Sequence, residues 1–198
     1  MKIMLDCSPA KIAEYRERYG VDFWQLRTPL TRYKIADCPW ALDNGCFTEF
    51  DRPTWEKMLD EAEDNRPVFV TLPDIVGDAL RTLDLFHAFE ALTSGLPRAL
   101  VLQDGIGSYP IPWDKISAVF VGGSDRFKIA PEAINAARTA KMLGKWVHVG
   151  RVNDPRRVQN WLGLADSIDG SGMSRFDHML EAVIAAIGGD HPQQALAV

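Results

Sequence analysis

The residues that could do chemistry in this chain stand where its short apolar runs end. The terminators are Asp6, Arg27, Asp43-Asn44-Gly45, Pro73-Asp74, Gln103-Asp104-Gly105, Gly122-Gly123, Gly150-Arg151 and Asp169-Gly170. Carboxylates gathered on one rim repel one another and lose hydration, a cost that a purely structural protein has no need to carry. Loops rich in Gly and Asp would explain any single terminator. The set as a whole points to a site.

Asp169 is its focus. It follows the apolar approach Leu164, Ala165, Ser167 and Ile168 and precedes Gly170-Ser171-Gly172, so it is expected at the C-terminal end of a strand beside pliable backbone. Two aspartates at one mouth suit glycosyl transfer, in which one attacks the anomeric carbon and the other moves protons, with retention of configuration. Asp74 either starts a turn after Pro73 or accepts two parallel hydrogen bonds from the N–H and amino edge of a guanine-like heterocycle. Gln103 either satisfies neighbouring backbone or bonds the same heterocycle. The amides of Gly122 and Gly123 can approach its carbonyl oxygen because no Cβ intervenes, and Phe47 is either core or a stacking platform. Asp78 reads as a helix N-cap, His148 as a residue of the barrel interior, and Asp6 with Arg27 as a candidate ion pair at the rim.

The elements that must position these groups alternate. Strand-like runs are expected over 3–6, 21–27, 40–43, 68–72, 99–103, 118–121, 146–149 and 167–169. Helix-like segments are expected over 9–19, 53–64, 78–92, 131–143, 155–162 and 174–187, the second and fifth connections being less clearly helical. Ser8-Pro9, Asp51 to Pro53 and Asp154-Pro155 supply N-caps with a first-turn proline, and Gly20, Gly95 and Gly144 supply stops. This alternation predicts an α/β protein, a compact single-domain (β/α)8 TIM-like barrel over 1–187 with a flexible tail over 188–198. At 198 residues it would be a pared-down barrel. A doubly wound open sheet is the alternative that periodicity leaves open.

Composition bounds the partners. The net charge is −5 with both signs interspersed, so a nucleic-acid substrate would need a local basic patch. Arg126, Lys128, Arg151, Arg156, Arg157 and Arg175 cluster in the later loops and could supply one. Three scattered cysteines and an opening without an apolar signal core suggest a reducing cytoplasm. The cysteines and four histidines make no metal-binding spacing, no run is long enough to span a membrane, and no cofactor is expected.

Asp43-Asn44-Gly45-Cys46-Phe47-Thr48 resembles the DSGG(F/Y)Q motif of the tRNA-guanine transglycosylases. The stretch from Gly150 to Arg175 is similar to their segment running from a glycine pair to a nucleophilic aspartate and a following arginine. Asp74, Gln103 and Gly122-Gly123 fall between, in the order in which that family presents its base-recognition groups. The resemblance spans about residues 40 to 176. It implies Asp169 as the nucleophile that displaces guanine and Asp43 as general acid/base. It also implies Asp74, Gln103, Gly122 and Gly123 as the grip on the base, Phe47 and Val149 as its two faces, and Arg175 and Arg151 as contacts to the polymer backbone. Asp166 is the weaker candidate for the nucleophile.

The departures are specific. The tRNA enzymes carry a zinc site of three cysteines and a histidine that this chain lacks, Cys46 stands for a glycine, and Asn44 stands for a serine. The short, zinc-free pattern is most similar to the phage and genomic-island branch that inserts 7-deazaguanine bases, such as 7-cyano-7-deazaguanine, into DNA. Its partners would be DNA and a free 7-deazaguanine, with tRNA as the alternative polymer and a homodimer allowed. An N-glycosidic hydrolase and a non-catalytic nucleotide-binding barrel remain as rival readings.

Overall fold

The structure, a computed structural model, describes residues 1–188; the tail expected over 188–198 lies outside the described residues except for Gly188. Eight parallel strands form a closed barrel in sequence order: β1 (Lys2–Leu5), β2 (Trp24–Arg27), β3 (Trp40–Leu42), β4 (Val70–Thr71), β5 (Arg98–Leu102), β6 (Ala118–Val121), β7 (Trp146–Val149) and β8 (Ser167–Asp169). Pairing of Ile3 with Ile168 closes the ring. The open-sheet alternative is thereby excluded, and the chain folds as a compact (β/α)8 TIM-like barrel.

The helices are α1 (Pro9–Tyr19), α2 (Arg52–Asp64), α3 (Ala79–Phe89), α4 (Pro131–Met142), α5 (Pro155–Trp161), α6 (Ser171–Arg175) and α7 (Asp177–Gly188). Side chains of Ser8, Asp51, Asp78 and Asp154 each accept from the amide three residues on, so the expected caps form, that of Asp78 included. The single helix expected over 174–187 is two. Phe176 is extended at φ −129°, which ends α6 and separates it from α7.

Two sets of apolar side chains follow from strand alternation. Met4, Leu26, Ala41, Phe69, Ala99, Val101, Ala118 and Phe120 fill the barrel interior. Ile3, Leu5, Leu100, Leu102, Val119, Val121, Val147, Val149 and Ile168 face the helices. Alanines at three of the interior positions, 41, 99 and 118, let the large Phe69 and Phe120 fit inside a barrel with short strands.

The second and fifth connections depart from strand–helix alternation. Residues 28–39 carry no helix, and residues 103–117 carry two short 3-10 turns, Ile106–Ser108 and Trp113–Lys115. Gln25 stands in for the missing packing of a helix after β2. Its fully buried side chain donates to the carbonyls of Cys7 (3.0 Å) and Lys34 (2.9 Å) and accepts from the amide of Ala36 (2.9 Å). Arg27 turns outward from the barrel. It donates to the carbonyl of Tyr33 (2.7 Å) and pairs with Glu61 of α2 (2.8 Å), while Asp6 accepts from Thr31 (2.5 Å). The candidate Asp6–Arg27 pair therefore does not form, because β2 presents Arg27 to the helical layer.

Replacing Gln25 with Leu strands the buried Cys7 carbonyl and Ala36 amide and the part-buried Lys34 carbonyl without their side-chain partner. We expect the unfolding free energy to fall by about 3 kcal/mol or more, measured by urea denaturation.

Candidate active site at the barrel mouth

The mouth is built from residues just past the strand ends. Asp43, Asn44 and Phe47 follow β3, Asp74 and Val76 follow β4, and Gln103 follows β5. Gly122, Gly123 and Lys128 follow β6, Gly150 and Arg151 follow β7, and Asp169 closes β8. Together with Val101 and Phe120 on the floor they line a cavity of about 70 Å³. Most of the expected site residues thus meet, and the meeting of Asp43, Asp74 and Asp169 is the crowding of carboxylates that the strand ends suggested.

Asp169 is held by one oxygen. The Arg151 amide donates to its Oδ1 at 2.8 Å, and Nε2 of His148 lies 3.4 Å from the same oxygen. Oδ2 is left as the oxygen able to attack. Arg151 reaches this position with φ 58°, an uncommon left-handed conformation for a residue with a side chain, and the strain is of the kind that marks functional loops. Gly150 is required beside it: a Cβ there would come within 2.6 Å of the Phe120 ring and 3.3 Å of Asp169 Oδ1.

His148 is the residue whose role the sequence did not reveal. It is wholly buried in the barrel, as expected, but its Nε2 has no hydrogen-bond partner among the described residues. The Trp146 indole N–H donates to Ser167 Oγ (2.8 Å), which leaves the Ser167 hydroxyl to donate to His148 Nδ1 (2.8 Å). That order puts the neutral ring's proton on Nε2, directed at Asp169. Asp166, the rival nucleophile, lies at the opposite end of β8, where it accepts from Lys141 (2.5 Å) and the Val147 amide (2.8 Å).

Asp43 is half-buried opposite. Burial first, then the negative charges of Asp169 and Asp74, push its carboxyl up to about 7, against hydrogen bonding from the Asn44 amide (2.9 Å) and Thr71. A carboxyl poised there can give or take a proton near neutral pH.

Asp74 is raised as well, chiefly by burial, which donors from Asn44 and Gln103 partly offset. Asn44 Nδ2 donates to its Oδ1 (2.8 Å) and Gln103 Nε2 to its Oδ2 (2.5 Å), while Gln103 Oε1 accepts from the Gly77 amide (2.9 Å). Each Asp74 oxygen keeps a lone pair for a ligand. Asn44, which looked like a mere exchange for serine, fixes both Asp74 and the turn, since its own oxygen accepts from the Cys46 amide (2.8 Å).

Three expectations need correction. The Gly122 amide is spent on the Leu102 carbonyl (3.1 Å), so only the Gly123 amide is free to meet a ligand; a side chain at Gly122 would strike Gln103 instead. Val149 does not line the mouth. Strand alternation turns it into the helical layer, where it borders a separate cavity with Val152 and Trp161. Arg175, expected as a contact to the polymer backbone, is exposed near Asp6. Lys128 is no surface cation: only 4% exposed, it donates to the Gly150 carbonyl (2.5 Å), and burial with the neighbouring Arg151 charge pulls its ammonium down to about 8.

Phe47 is 63% exposed, and the Arg151 guanidinium lies over its ring at 4.2 Å from the centroid. Among the other basic loop residues, Arg157 is tied to Asp125 (2.6 Å) and Asp154 (3.1 Å), while Arg126 and Arg156 are exposed. Among the described residues no helix is long and apolar enough to cross a membrane.

The raised Asp43 value carries a pH dependence. The fold holds this proton more tightly than the unfolded chain, so the group's stabilisation is complete below the ordinary value of 3.8 and is lost as pH rises through about 7. Asp43→Asn cannot ionise. We expect it to stabilise the protein at pH 8 by up to about 4 kcal/mol and to change it little at pH 4, read by urea denaturation at both pH values.

No family model and no curated protein sequence matches the chain. Among solved structures it is similar to the BexX/CysO complex of Amycolatopsis orientalis, with a TM-score of 0.52 and 12% identity over 100% of this chain and 94% of that one. It is also similar to a citrate lyase from Burkholderia xenovorans LB400, with a TM-score of 0.52 and 13% identity over 94% of this chain and 76% of that one. At such identities the likeness establishes the barrel fold and leaves the chemistry to the residues of the mouth.

Proposed function

We propose that the protein is a glycosyltransferase of the pentosyl type, a DNA-guanine transglycosylase that exchanges guanine in DNA for a free 7-deazaguanine. The observation that carries this reading is the pairing of Asp169, anchored through one oxygen, with Asp43, poised near neutral pH, across a cavity that also holds the Asp74–Gln103 acceptor edge.

In this mechanism Asp169 Oδ2 attacks C1′ of a flipped nucleotide and the C1′–N9 bond breaks. The proton on Asp43 goes to the departing guanine. The incoming base then returns a proton to Asp43, its nitrogen attacks C1′, and the bond to Asp169 breaks. One glycosidic bond replaces another, so no energy cofactor is needed. Asp74 accepts from the N1–H and 2-amino edge, and Gln103 and the Gly123 amide meet O6. Phe47 stacks on the base once the Arg151 guanidinium leaves its face. Flipping costs a few kcal/mol, which stacking and edge contacts offset. Arg126, Arg156 and Arg175 are available to phosphates, which suits a polyanion despite the acidic total. A reaction on DNA and a free base also fits a cytoplasmic protein.

The test is to incubate purified protein with guanine-labelled DNA, guanine-labelled tRNA and 7-cyano-7-deazaguanine. Label should leave DNA only when the free base is present, and Asp169→Ala should lower the rate by at least about a thousandfold. Release without free base would instead indicate a hydrolase, exchange into tRNA alone would reverse the choice of polymer, and no release from either would leave a binding module.

His148 supplies a second test. His148→Leu should lower kcat about tenfold or more with KM for DNA unchanged, and His148→Gln, which retains an N–H, should recover part of the loss. Equal losses in the two variants would reduce His148 to packing.

A further inference from the structure

Lys128 is the group of the mouth to which base exchange assigns no task. It is the only buried lysine among the described residues, 4% exposed, and it lines the same cavity as Asp43 and Asp169. A charge taken out of water is ordinarily paired with an acid. Lys2, Lys11, Lys115 and Lys141 each pair with a carboxylate although they lie nearer the surface. Lys128 donates instead to the Gly150 carbonyl, and no carboxylate stands within salt-bridge distance of it among the described residues. A loop strap of that kind needs one N–H, and a neutral donor would supply it without burying a charge.

The surroundings favour the uncharged amine. Burial, then the Arg151 guanidinium, pulls the ammonium down to about 8. At pH 7 about one molecule in ten then carries the free amine, against fewer than about one in a thousand for a lysine in water. Desolvation beside a second cation is what turns a lysine amine into a nucleophile for carbonyl groups. The neutral amine keeps an N–H for Gly150 and still has its lone pair. In the same cavity Asp43 carries a proton up to about pH 7, and Asp169 is held through one oxygen, which leaves the other free. An amine, an acid and a base therefore meet in one space, the set that imine chemistry at an aldehyde needs.

We propose that Lys128 is a Schiff-base nucleophile whose carbonyl substrate is the C1′ aldehyde of an abasic nucleotide in DNA, so that the mouth also cleaves the strand at such a nucleotide. The base-exchange reading contributes one premise on which this rests, the sugar's place beside Asp169. An abasic sugar arises there whenever water, rather than an incoming base, takes C1′ from Asp169, and its ring opens to the aldehyde. The Lys128 lone pair forms the C1′–N bond, and the carbonyl π pair moves to oxygen, which takes a proton from the nitrogen. Asp43 protonates the resulting hydroxyl and water leaves, which gives the iminium. Asp169 then removes a proton from C2′. The pair of the broken C2′–H bond ends as the C2′=C3′ bond, and the C3′–O bond breaks with its pair going to the phosphate. Water adds to the iminium carbon and frees Lys128, with nothing oxidised or reduced.

The experiment incubates the full chain with end-labelled DNA carrying one natural abasic site, with and without cyanoborohydride. With the reductant, a covalent protein–DNA adduct should form and map by peptide mass spectrometry to Lys128. Without it, the strand should break on the 3′ side of the site. A tetrahydrofuran analogue, which has no aldehyde, should give neither. Lys128→Arg, which keeps a cation and an N–H for Gly150 but forms no imine, should lower both rates at least about a hundredfold. If that variant fails to fold, the wild-type map decides. No adduct, an adduct at another residue, or equal rates in the variant would overturn the proposal. Guanine exchange is followed on the same preparation. Exchange without the adduct removes only the role of Lys128, and the Lys128 adduct without exchange removes the transferase and leaves the lyase.

Discussion

Three carboxyl groups, Asp43, Asp74 and Asp169, face one partly buried cavity, and the rest of the mouth answers to their repulsion. Like charges in a low-dielectric site cannot all ionise at ordinary cost. Each carboxyl is therefore treated differently. Asp169 has an amide and an imidazole on one oxygen, Asp74 has two side-chain amides, and Asp43, with the weakest support, is left protonated up to about pH 7. One environment thus yields an anchored carboxyl group, an acceptor edge and a proton carrier, which is the division of labour that acid–base chemistry on one scaffold requires.

The supports reach the mouth only because backbone approaches closely. At Gly150 the chain passes within van der Waals contact of Phe120 and beside Asp169, and at Gly122 it lies against Val101 and the Gln103 amide. A methyl group at either position would displace a member of the site rather than fill space. Below them, the Trp146–Ser167–His148 chain is polar, buried and complete up to the one N–H that points at Asp169. Such a network in a barrel interior is costly unless each group is satisfied, which ties the register of β7 against β8 to the geometry of Asp169.

The cationic side is the counterpart of the carboxylates. Lys128 and Arg151 are both spent on main-chain carbonyls, so their charges are aimed by backbone rather than by mutual pairing with acids. The Arg151 guanidinium also covers one face of the Phe47 ring, so the cation is held by an aromatic face as well as by a carbonyl.

The repeating apolar runs and their terminators were enough to read eight strands, the barrel and the membership of Asp43, Asp74, Gln103 and Asp169 in one site, because strand alternation and end position are local properties of sequence. Helix starts were equally legible at Ser8, Asp51, Asp78 and Asp154, where a side chain bonds an amide three residues away. What sequence could not decide depends on distance in space. Whether the Gly122 amide is free is decided by a hydrogen bond to β5, and whether Arg27 meets Asp6 or Glu61 is decided by which side of the barrel β2 presents. Whether Lys128 is solvated or buried depends on how the loop after β6 folds back on Gly150. His148 belonged to a strand by its neighbours alone. Only the closed barrel put its unpaired nitrogen beneath Asp169, because residues on adjacent strands meet through register that no local pattern records.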